Sequence, residues 1–425
     1  MKRESRTVDR SHQIDSAIQR HLPLVDLLVD TRAELMELAV ASGLKVLHTM
    51  LEEDRTAICG PRYQHQRERT ATRAGTAPSE VVRGGRKVQI RRPRVRTNND
   101  EVPLPTFQAF ADTDPLDRRI VEQMLIGVAT RQYARSLEPT GADVISRGTS
   151  KSAVSRRFVA KTTAPLNTWR STPLDTLDLG ALVIDGVQVG EHCIVGALGI
   201  DATGKKHALG LWDGSTENTT VCQSLLAHLQ SRGLRTDRTL LVILDGSKAL
   251  HRAVTQIFGR AALIQRCQVH KRRNVLDHLP ERQRPWVRVV LNRAYRSADV
   301  VTARRLLQDL ARRLDEHCPS AAESLREGLD ETLTVLSFGL AERLRLCLAT
   351  TNAIESLMSR TRHVKRNVKR WRTGAMAVRW VAAGVLEATK GFRRLRGMKE
   401  MPKLIAALRA RDQQLGLGDV AEHVA

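Results

Sequence analysis

The sequence has few cysteines, and none of them form closely spaced pairs. Its six cysteines are scattered along 425 residues without a Cys-x-x-Cys pair, which excludes the common zinc-ribbon spacings and argues against a disulfide framework. Long apolar runs are also absent, so no stretch approaches the length needed to span a bilayer. The N-terminus is charged from the second residue and lacks the apolar core of a signal peptide. We therefore expect a soluble, cytoplasmic protein.

Acidic residues are scarce relative to basic ones. Lys and Arg number 69 against 46 Asp and Glu, which gives a formal net charge of +23. The basic residues cluster instead of alternating with acids, so we favour a polyanionic partner, most commonly nucleic acid, over a merely solvated surface. The length and the apolar content of 41% predict a folded chain of two or three domains.

Two short apolar runs, residues 182–186 (LVIDG) and 241–246 (LVILDG), each end in aspartate and then glycine. Runs of this length bounded by Gly and Asp are typical of buried strands. Between them, residues 193–200 and 207–212 alternate as a pair of strands does. The sequence therefore predicts a sheet with an aspartate at the end of two of its strands.

The elements that follow complete this sheet domain. A helix is expected over 217–232, with Ser215 or Thr216 as its cap, followed by a strand, a helix and a last strand. Three strands, a helix, a strand, a helix and a strand is the order of a ribonuclease-H-like α/β fold. In that topology the first and fourth strands are neighbours, so Asp185 and Asp245 would meet. Two close carboxylates are costly without a cation between them, which predicts a metal site.

The N-terminal part is expected to be helical and then strongly basic. Apolar residues recur at helical spacing over 22–51, and Gly43 predicts a break that makes a helical pair. Residues 86–96 (RKVQIRRPRVR) alternate as a strand does and have cationic flanks. We predict that this ribbon tracks DNA phosphates through its arginines. An exposed surface ribbon is the alternative.

A helix-turn-helix region is predicted over residues 114–161. Helices are expected over 116–126 and 130–137, and Ser150 can cap a third helix. The exposed side of that third helix carries short polar and cationic side chains, which a recognition helix needs to reach bases and phosphates in the major groove. Three-helix domains with a basic last helix also occur without DNA, so this alternative stays open.

The pattern becomes wholly helical over residues 282–348, which predicts an all-α insertion. The block 350–355 (TTNAIE) follows it. Here Thr351 or Asn352 is expected to cap a helix that has Glu355 in its first turn. This helix would bring a third carboxylate to the sheet.

The three carboxylates suggest a chemistry. Two acids on adjacent strands and one from a helix can hold two divalent cations, because Mg²⁺ prefers oxygen ligands. Arg362 and Arg366 would lie behind Glu355 on the same helix face. Cys267 and His270 form half of a zinc-finger spacing with no second half in view. We expect a packed cysteine and a hydrogen-bonding histidine that positions the site or its DNA.

Five motifs carry a family resemblance. They are residues 184–186 (IDG), 244–249 (LDGSKA), 266–274 (RCQVHKRRN), 350–355 (TTNAIE) and 367–371 (NVKRW). Together they resemble the IS256 family of bacterial transposases, which is related to the Mutator-like elements of eukaryotes, from about residue 44 onward. The chain departs from the commoner pattern at positions 186 and 187, where alanine and an aromatic residue are usual, and at Ser359, where asparagine is frequent.

The resemblance implies a DDE transposase whose ribonuclease-H-like core is interrupted by an all-α insertion. Asp185, Asp245 and Glu355 match its catalytic, metal-binding triad, and Cys267 and His270 match a motif of structural role. Such an enzyme binds the terminal inverted repeats of its element, nicks the ends and joins the freed 3′-hydroxyl to target DNA. It would use Mg²⁺ or Mn²⁺, with two ions, and work as a homodimer or larger complex at the nucleoid of a bacterium.

This interpretation divides the chain into seven regions. They are an N-terminal helical region (1–55), a basic strand-rich DNA-contacting segment (56–112), a helix-turn-helix-like region (113–172), the first part of the core (178–280), the all-α insertion (281–349), the core completion with the glutamate helix (350–395) and a C-terminal tail (396–425). The residues expected to contact DNA are Arg91, Arg92, Arg94, Lys151, Ser155, Arg156, Arg157, Lys271, Arg272, Arg362 and Arg366. A catalytically silent, transposon-derived DNA-binding regulator is one alternative, and an RNA-processing nuclease of the same fold is another.

Overall fold

The computed structural model describes residues 11–64, 70–83, 86–97, 100–111, 117–137, 144–148, 150–214, 218–362, 366, 368 and 370–417. These residues form two compact units. One holds the described residues up to Met124 together with Val128–Val159, and the other holds Leu125–Gly127 and the described residues from Ala160 onward. The first unit contains a four-stranded sheet and the second a five-stranded sheet.

The N-terminal helix α1 runs without interruption from Ser11 to Cys59. The predicted helical pair with a break at Gly43 is therefore wrong. Gly43 has no left-handed backbone, and a glycine inside a helix costs only about 1 kcal/mol relative to alanine. Further along, Leu47 and Leu51 are buried in a hydrophobic cluster with the neighbouring strands, so this packing outweighs the cost of the glycine.

The basic ribbon is confirmed as a strand. Strand β2 (Arg86–Arg96) pairs antiparallel with β1 (Thr72–Arg83), and the short strands β3 (Glu101–Val102) and β4 (Ser146–Gly148) also pair with β2. Apolar side chains of β2 are buried and the residues between them are more exposed. The alternation read from the sequence is thus the alternation of a half-buried strand.

Two of the three helices predicted over residues 114–161 are present. After α2 (Pro105–Ala111), helix α3 (Asp117–Leu125) lies where the first helix is expected. Helix α4 (Lys151–Ser171) follows the cap Ser150, whose hydroxyl oxygen accepts a hydrogen bond from the amide of Ala153 at 3.2 Å.

The prediction of a second α-helix over residues 130–137 is wrong. A 3-10 helix of four residues, Tyr133–Ser136, occupies its place. The Ser136 hydroxyl donates to the Tyr133 carbonyl, and the side-chain amide of Gln123 donates to the Ser136 carbonyl. These side chains occupy carbonyl groups that an α-helix would pair with its own backbone amides.

The second unit is organised around a five-stranded sheet. An antiparallel meander consists of β5 (Leu179–Val189), β6 (His192–Asp201) and β7 (Lys206–Gly214). Strand β8 (Leu240–Leu244) pairs with β5 in parallel, and β9 (Ala262–Arg266) pairs with β8 in parallel. The strand order is β7-β6-β5-β8-β9. The expected strands and the adjacency of the first and fourth are confirmed.

Helices cover both faces of this sheet. Helices α5 (Thr219–Ser231) and α6 (Lys248–Phe258) pack on one face, which also buries Leu182 and Ile184 of β5. The side chains between these residues point the other way, to a cluster formed with the helices that come after residue 350. The sheet is therefore buried on both sides, as its continuous apolar strands indicate.

The cap of α5 differs from the expected one. Asn218 is the residue before the helix, and its side chain accepts a hydrogen bond from the amide of Val221 at 2.9 Å. Ser215 and Thr216, the caps predicted from the sequence, lie outside the described residues. Asparagine is as good a helix cap as serine, which is why the sequence alone could not place this boundary.

The segment between β9 and residue 350 is entirely helical, as predicted. It consists of α7 (Gln268–Asp277), α8 (Arg284–Arg296), α9 (Val300–Asp315), α10 (Pro319–Arg326), α11 (Glu342–Leu348) and the 3-10 helices Glu281–Gln283, Asp330–Thr332 and Thr334–Phe338. Its helices enclose a hydrophobic cluster of their own. At its two ends, the amide of Gln268 donates to the carbonyl of Ala349 at 3.0 Å. The segment thus leaves the sheet domain and returns to it at one point.

After residue 350, the described part of the chain contains α12 (Asn352–Arg360), α13 (Gly374–Thr389), the 3-10 helix Met398–Glu400 and α14 (Met401–Leu415). The sequence interpretation treats everything after residue 395 as a tail, but α14 buries Met401 and Leu404 in the same cluster as the sheet. Its apolar residues at positions 401, 404, 405 and 408 recur at helical spacing, a signal that the sequence interpretation did not use. Among the described residues, no helix combines the length and apolar character that a membrane crossing requires.

Replacement of Leu404 by alanine tests whether α14 belongs to the core. Leu404 is fully buried, so we expect Leu404→Ala to lower the free energy of unfolding by about 2–5 kcal/mol. The exposed Gln414 on the same helix provides the control, because Gln414→Ala should change it by less than about 0.5 kcal/mol. Chemical denaturation measures both, and equal stability of the two variants would return this segment to the status of a tail.

Candidate active site

The sheet brings two aspartates to neighbouring positions. Val183 of β5 pairs with Ile243 of β8, and Asp185 and Asp245 each lie two residues further along. Asp185 is buried, and its carboxylate accepts a hydrogen bond from the amide of Gly186 at 2.9 Å. The carboxylate of Asp245 accepts from the amide of Ser247 at 2.8 Å.

Helix α12 supplies the third acid. Thr351 precedes the helix and Glu355 lies in its first turn, as predicted. A Cβ built on Gly196, which pairs with Asp185 across β5 and β6, would stand 2.3 Å from the terminal methyl of Met358. Glycine at this position leaves room for the end of the Met358 side chain, by which the glutamate helix packs on the strand next to that of Asp185.

The charges of these acids act on one another. Burial, followed by the charge of Asp245, raises the pKa of Asp185 to about 7, and Glu355 adds to the rise while His270 opposes it. The ionised form of a carboxylate is normally stabilised by water, which burial removes, and nearby anions disfavour it further. The structure therefore brings Asp185, Asp245 and Glu355 into one electrostatic group.

A second network surrounds Glu355. The hydroxyl of Thr351 donates to Glu355 Oε1 at 2.7 Å and lies 3.4 Å from both Cys267 Sγ and His270 Nδ1. His270 Nε2 is 3.8 Å from Glu355 Oε1. Thr351 therefore does not cap its helix with its side chain, because the hydroxyl is engaged with the carboxylate instead.

Cys267 and His270 form a polarised pair inside this network. Burial raises the pKa of the Cys267 thiol, but the hydrogen bonds from His270 and Thr351 together outweigh burial and lower it. The hydrogen bond with Cys267 raises the pKa of His270 to about 9, with Asp185 and Glu355 contributing. A cationic imidazole beside two carboxylates partly offsets their repulsion.

Two donor sets could hold a metal ion. Oxygen atoms of the three acids have the chemistry that Mg²⁺ and Mn²⁺ prefer. Within the described part of the chain, the group of three candidate ligands that approach within 4.8 Å of one another is Cys267, His270 and Glu355. Zinc uses these atom types, but Cys267 Sγ also accepts from the Thr351 amide at 3.4 Å, which is typical of a packed, hydrogen-bonded cysteine.

The predicted DNA-contacting residues differ in their exposure and in whether an acid already pairs with them. Lys151, Ser155 and Arg156 are exposed on α4, and Arg157 is half-buried. In the ribbon, Arg92 and Arg94 bind Glu101 at 2.7 and 2.9 Å. The Glu101 carboxylate therefore neutralises part of the positive charge of the two arginines that the sequence predicts to contact DNA phosphates. Arg91 is exposed and donates to the hydroxyl of Thr76 at 3.3 Å.

Lys271 requires a correction. Its side chain is buried, and its ammonium donates to the carbonyls of Ser324 and Glu327 at 2.5 and 2.6 Å. It therefore joins α7 to α10 and is not available to DNA. The neighbouring Arg272 is half-buried and donates to the side chain of Asn292 at 2.7 Å.

The prediction that Arg362 and Arg366 lie on the same helix face as Glu355 is also wrong. Helix α12 ends at Arg360, with Thr361 as its C-terminal cap. Arg362 and Arg366 lie beyond that end and are exposed. The Thr361 hydroxyl donates to the carbonyl of Met358, and this local bond closes the helix before the face can continue.

Sequence reasoning missed the role of Thr351 in the site. It treats Thr351 only as a possible helix cap. The four-residue spacing from Thr351 to Glu355 was a usable signal, since residues at positions i and i+4 lie on one side of a helical turn. The contacts of Thr351 with Cys267 and His270 join residues far apart in sequence and had no such signal.

Comparison with known proteins gives the family. The model described as Transposase, Mutator family matches residues 28–394. The chain is similar to the transposase for insertion sequence element IST2 of Acidithiobacillus ferrooxidans, with 33% identity over 171 residues, which is 40% of this chain and 56% of that protein.

Two further relatives match over longer stretches. Identity is 28% over 341 residues to the transposase for insertion sequence element IS406 of Burkholderia multivorans, covering 76% of this chain and 84% of the relative. It is 24% over 358 residues to the transposase for IS256 in transposon Tn4001 of Staphylococcus aureus, covering 80% and 87%. The chain therefore belongs to the Mutator family of transposases, and the resemblance to the IS256 family seen in its motifs is confirmed.

Proposed function

We propose that this protein is a DDE transposase that cleaves the ends of its element and joins them to target DNA. The observation that carries the proposal is the convergence of three carboxylates, Asp185, Asp245 and Glu355, at one edge of a sheet. Asp185 is buried among like charges, an arrangement that is costly for stability and useful for cation binding. The proposed substrates are the terminal inverted repeats and the target duplex.

Divalent cations, Mg²⁺ or Mn²⁺, are the proposed cofactors, and Asp185, Asp245 and Glu355 are their proposed ligands. Two such ions, when bound, activate the attacking oxygen and stabilise the leaving oxygen of a phosphodiester. The chain's own contribution is positional. The backbone amides of Gly186 and Ser247 orient the aspartates, and the Thr351 hydroxyl holds one oxygen of Glu355.

The proposed architecture is a ribonuclease-H-like core interrupted by an all-α insertion. The strand order β7-β6-β5-β8-β9 supports it, as does the helical segment with its own hydrophobic cluster between β9 and α12. The first unit, with the ribbon and α4, is proposed to bind duplex DNA through Arg91, Lys151 and Arg156. Because two element ends must be joined together, at least two protomers are proposed to act in one complex.

The first prediction concerns Asp245. Asp245→Asn should abolish nicking of a labelled element-end duplex in Mg²⁺, because it removes a charged ligand while it keeps the side chain's shape. Asp213→Asn, at an exposed acid on β7, should nick within a few-fold of the parent protein. Gel analysis with Mg²⁺ and with EDTA measures both. Full activity of Asp245→Asn would refute the triad, and tight binding without nicking by the parent protein would favour the silent regulator.

The second prediction concerns stability without metal. In EDTA, Asp185→Asn should raise the melting temperature by a few degrees, because it removes a buried charge that Asp245 and Glu355 oppose. Asp201→Asn should lower it, since Asp201 accepts hydrogen bonds from Thr203 and Lys205 and pairs with His207 at 2.8 Å. Calorimetry would contradict the like-charge account if both variants lost stability equally.

The third prediction concerns Thr351 as a positioning residue. Thr351→Val keeps the volume but removes the donor to Glu355, so nicking should fall about 10- to 100-fold, as for other residues that orient metal ligands. The Mg²⁺ concentration for half-maximal nicking should rise. Thr351→Ser retains the hydroxyl and should stay within a few-fold of the parent. An unchanged Mg²⁺ dependence in Thr351→Val would show that the contact is only structural.

A further inference from the structure

A basic groove lies in the second unit, away from the three carboxylates. Its volume is about 700 Å³. The cations that line it are Lys205, Lys206, Arg232, Lys390, Arg393 and Arg394, and none of its lining residues is an aspartate or a glutamate. Six cations without an interspersed acid are unusual on a protein surface, where charges of both signs normally mix.

Two of these cations are already engaged. The Lys390 ammonium binds Glu387 at 2.5 Å, and the Arg232 guanidinium donates to the carbonyls of Leu209 and Thr172. The other four, Lys205, Lys206, Arg393 and Arg394, have no carboxylate oxygen within 4.0 Å in the part of the chain that the structure describes. Burial, followed by the charge of Arg360, lowers the pKa of Lys206, because both disfavour the charged form of the amine.

Both aromatic side chains of the groove contact other residues of its lining. The indole N–H of Trp169 donates to the carbonyl of Ala208 at 2.8 Å. The Lys206 ammonium lies over the ring of Phe392, 5.2 Å from the ring centroid. The ammonium therefore covers one face of the Phe392 ring, and the indole N–H of Trp169 is not available to a ligand.

The groove lies at the opposite end of the sheet from the acids. It is formed next to the turn between β6 and β7, where the amide of Asp201 donates to the carbonyl of the lining residue Lys205 at 3.0 Å, and Asp201 pairs with Leu179 at the start of β5. Asp185 pairs with Gly196, further along β6. From the start of β5 to Asp185 the strand rises by about 20 Å, so one small ligand cannot occupy both places.

We infer that this groove binds the phosphate backbone of duplex DNA at a distance from the bond that is cut. A duplex carries regularly spaced negative charge along its axis, which matches several neighbouring cations better than a single small anion does. A distance of about 20 Å corresponds to roughly six base pairs. The inference rests on the proposed function in taking DNA as the partner and Asp185 as the mark of the bond that is cut, whereas the positive charge of the groove does not depend on the metal triad.

The test compares two variants with equal loss of charge. The groove variant combines Lys205→Gln, Lys206→Gln, Arg393→Gln and Arg394→Gln. The control combines Arg235→Gln, Arg304→Gln, Arg312→Gln and Arg326→Gln, four exposed arginines that are paired with Asp237, Asp330, Asp309 and Asp315. Glutamine retains much of each side chain's stem, and melting temperatures close to the parent's identify folded variants.

Binding to an element-end duplex is measured against salt concentration in EDTA, so that no cleavage occurs. The logarithmic slope should become shallower by about three to four for the groove variant, since each phosphate contact contributes about 0.9, and by less than one for the control. Equal slopes for the two variants would overturn the inference. Loss of nicking in Asp245→Asn with an unchanged slope would leave it intact, so the two proposals fail separately.

A series of duplex lengths locates the contact. Shortening the DNA to fewer than about six base pairs on one side of the cut site should weaken binding by the parent protein. The groove variant should be insensitive to that same truncation, because its contact is already lost. If truncation on either side weakens the variant as much as the parent, the groove does not hold distant DNA and the inference is wrong.

Discussion

Asp185 is held as a buried carboxylate while two other carboxylates, Asp245 and Glu355, oppose its ionisation. Such an arrangement costs folding free energy, so it persists only because the structure around it fixes the three positions independently. Val183 and Ile243 belong to one hydrophobic cluster and hold the two aspartate-bearing strands in register. Ile354 and Leu357 bring the glutamate helix onto that same cluster. Apolar packing thus supplies the free energy that the repelling charges oppose.

The second determinant is the network of Cys267, His270 and Thr351, which links elements that the sheet alone does not connect. The amide of Cys267 donates to the carbonyl of Leu244, the residue before Asp245, at 2.7 Å. The Sγ atom of the same cysteine lies 3.4 Å from the Thr351 hydroxyl, and that hydroxyl donates to Glu355. The distance from the second aspartate to the glutamate is therefore set by a short chain of hydrogen bonds. The Cys267–His270 motif, which the sequence predicts to be structural, thus links the strand before Asp245 to the helix that carries Glu355.

The parts of the fold that sequence reasoning predicts are those with local signals. Apolar runs ending in Asp-Gly mark β5 and β8, and Ser247 marks the start of α6. The errors arise where tertiary contacts decide. Gly43 is tolerated because the helix around it packs on a sheet. Helix α14 packs on the sheet cluster through a short apolar face that the sequence interpretation overlooked. Lys271 looks like any other member of a basic run, and only the carbonyls of α10 reveal that it is buried.

The all-helical segment begins and ends at one point, where the amide of Gln268 meets the carbonyl of Ala349. The ends that the core must join are therefore already in contact, and the C-terminal part of the segment packs on the sheet cluster through Val335, Leu340, Leu344 and Leu348. Helices could be added or removed at its far side without moving Asp245 relative to Glu355. The spacing between these two acids in sequence is thus free to drift over evolutionary time, while their spacing in the folded protein is not.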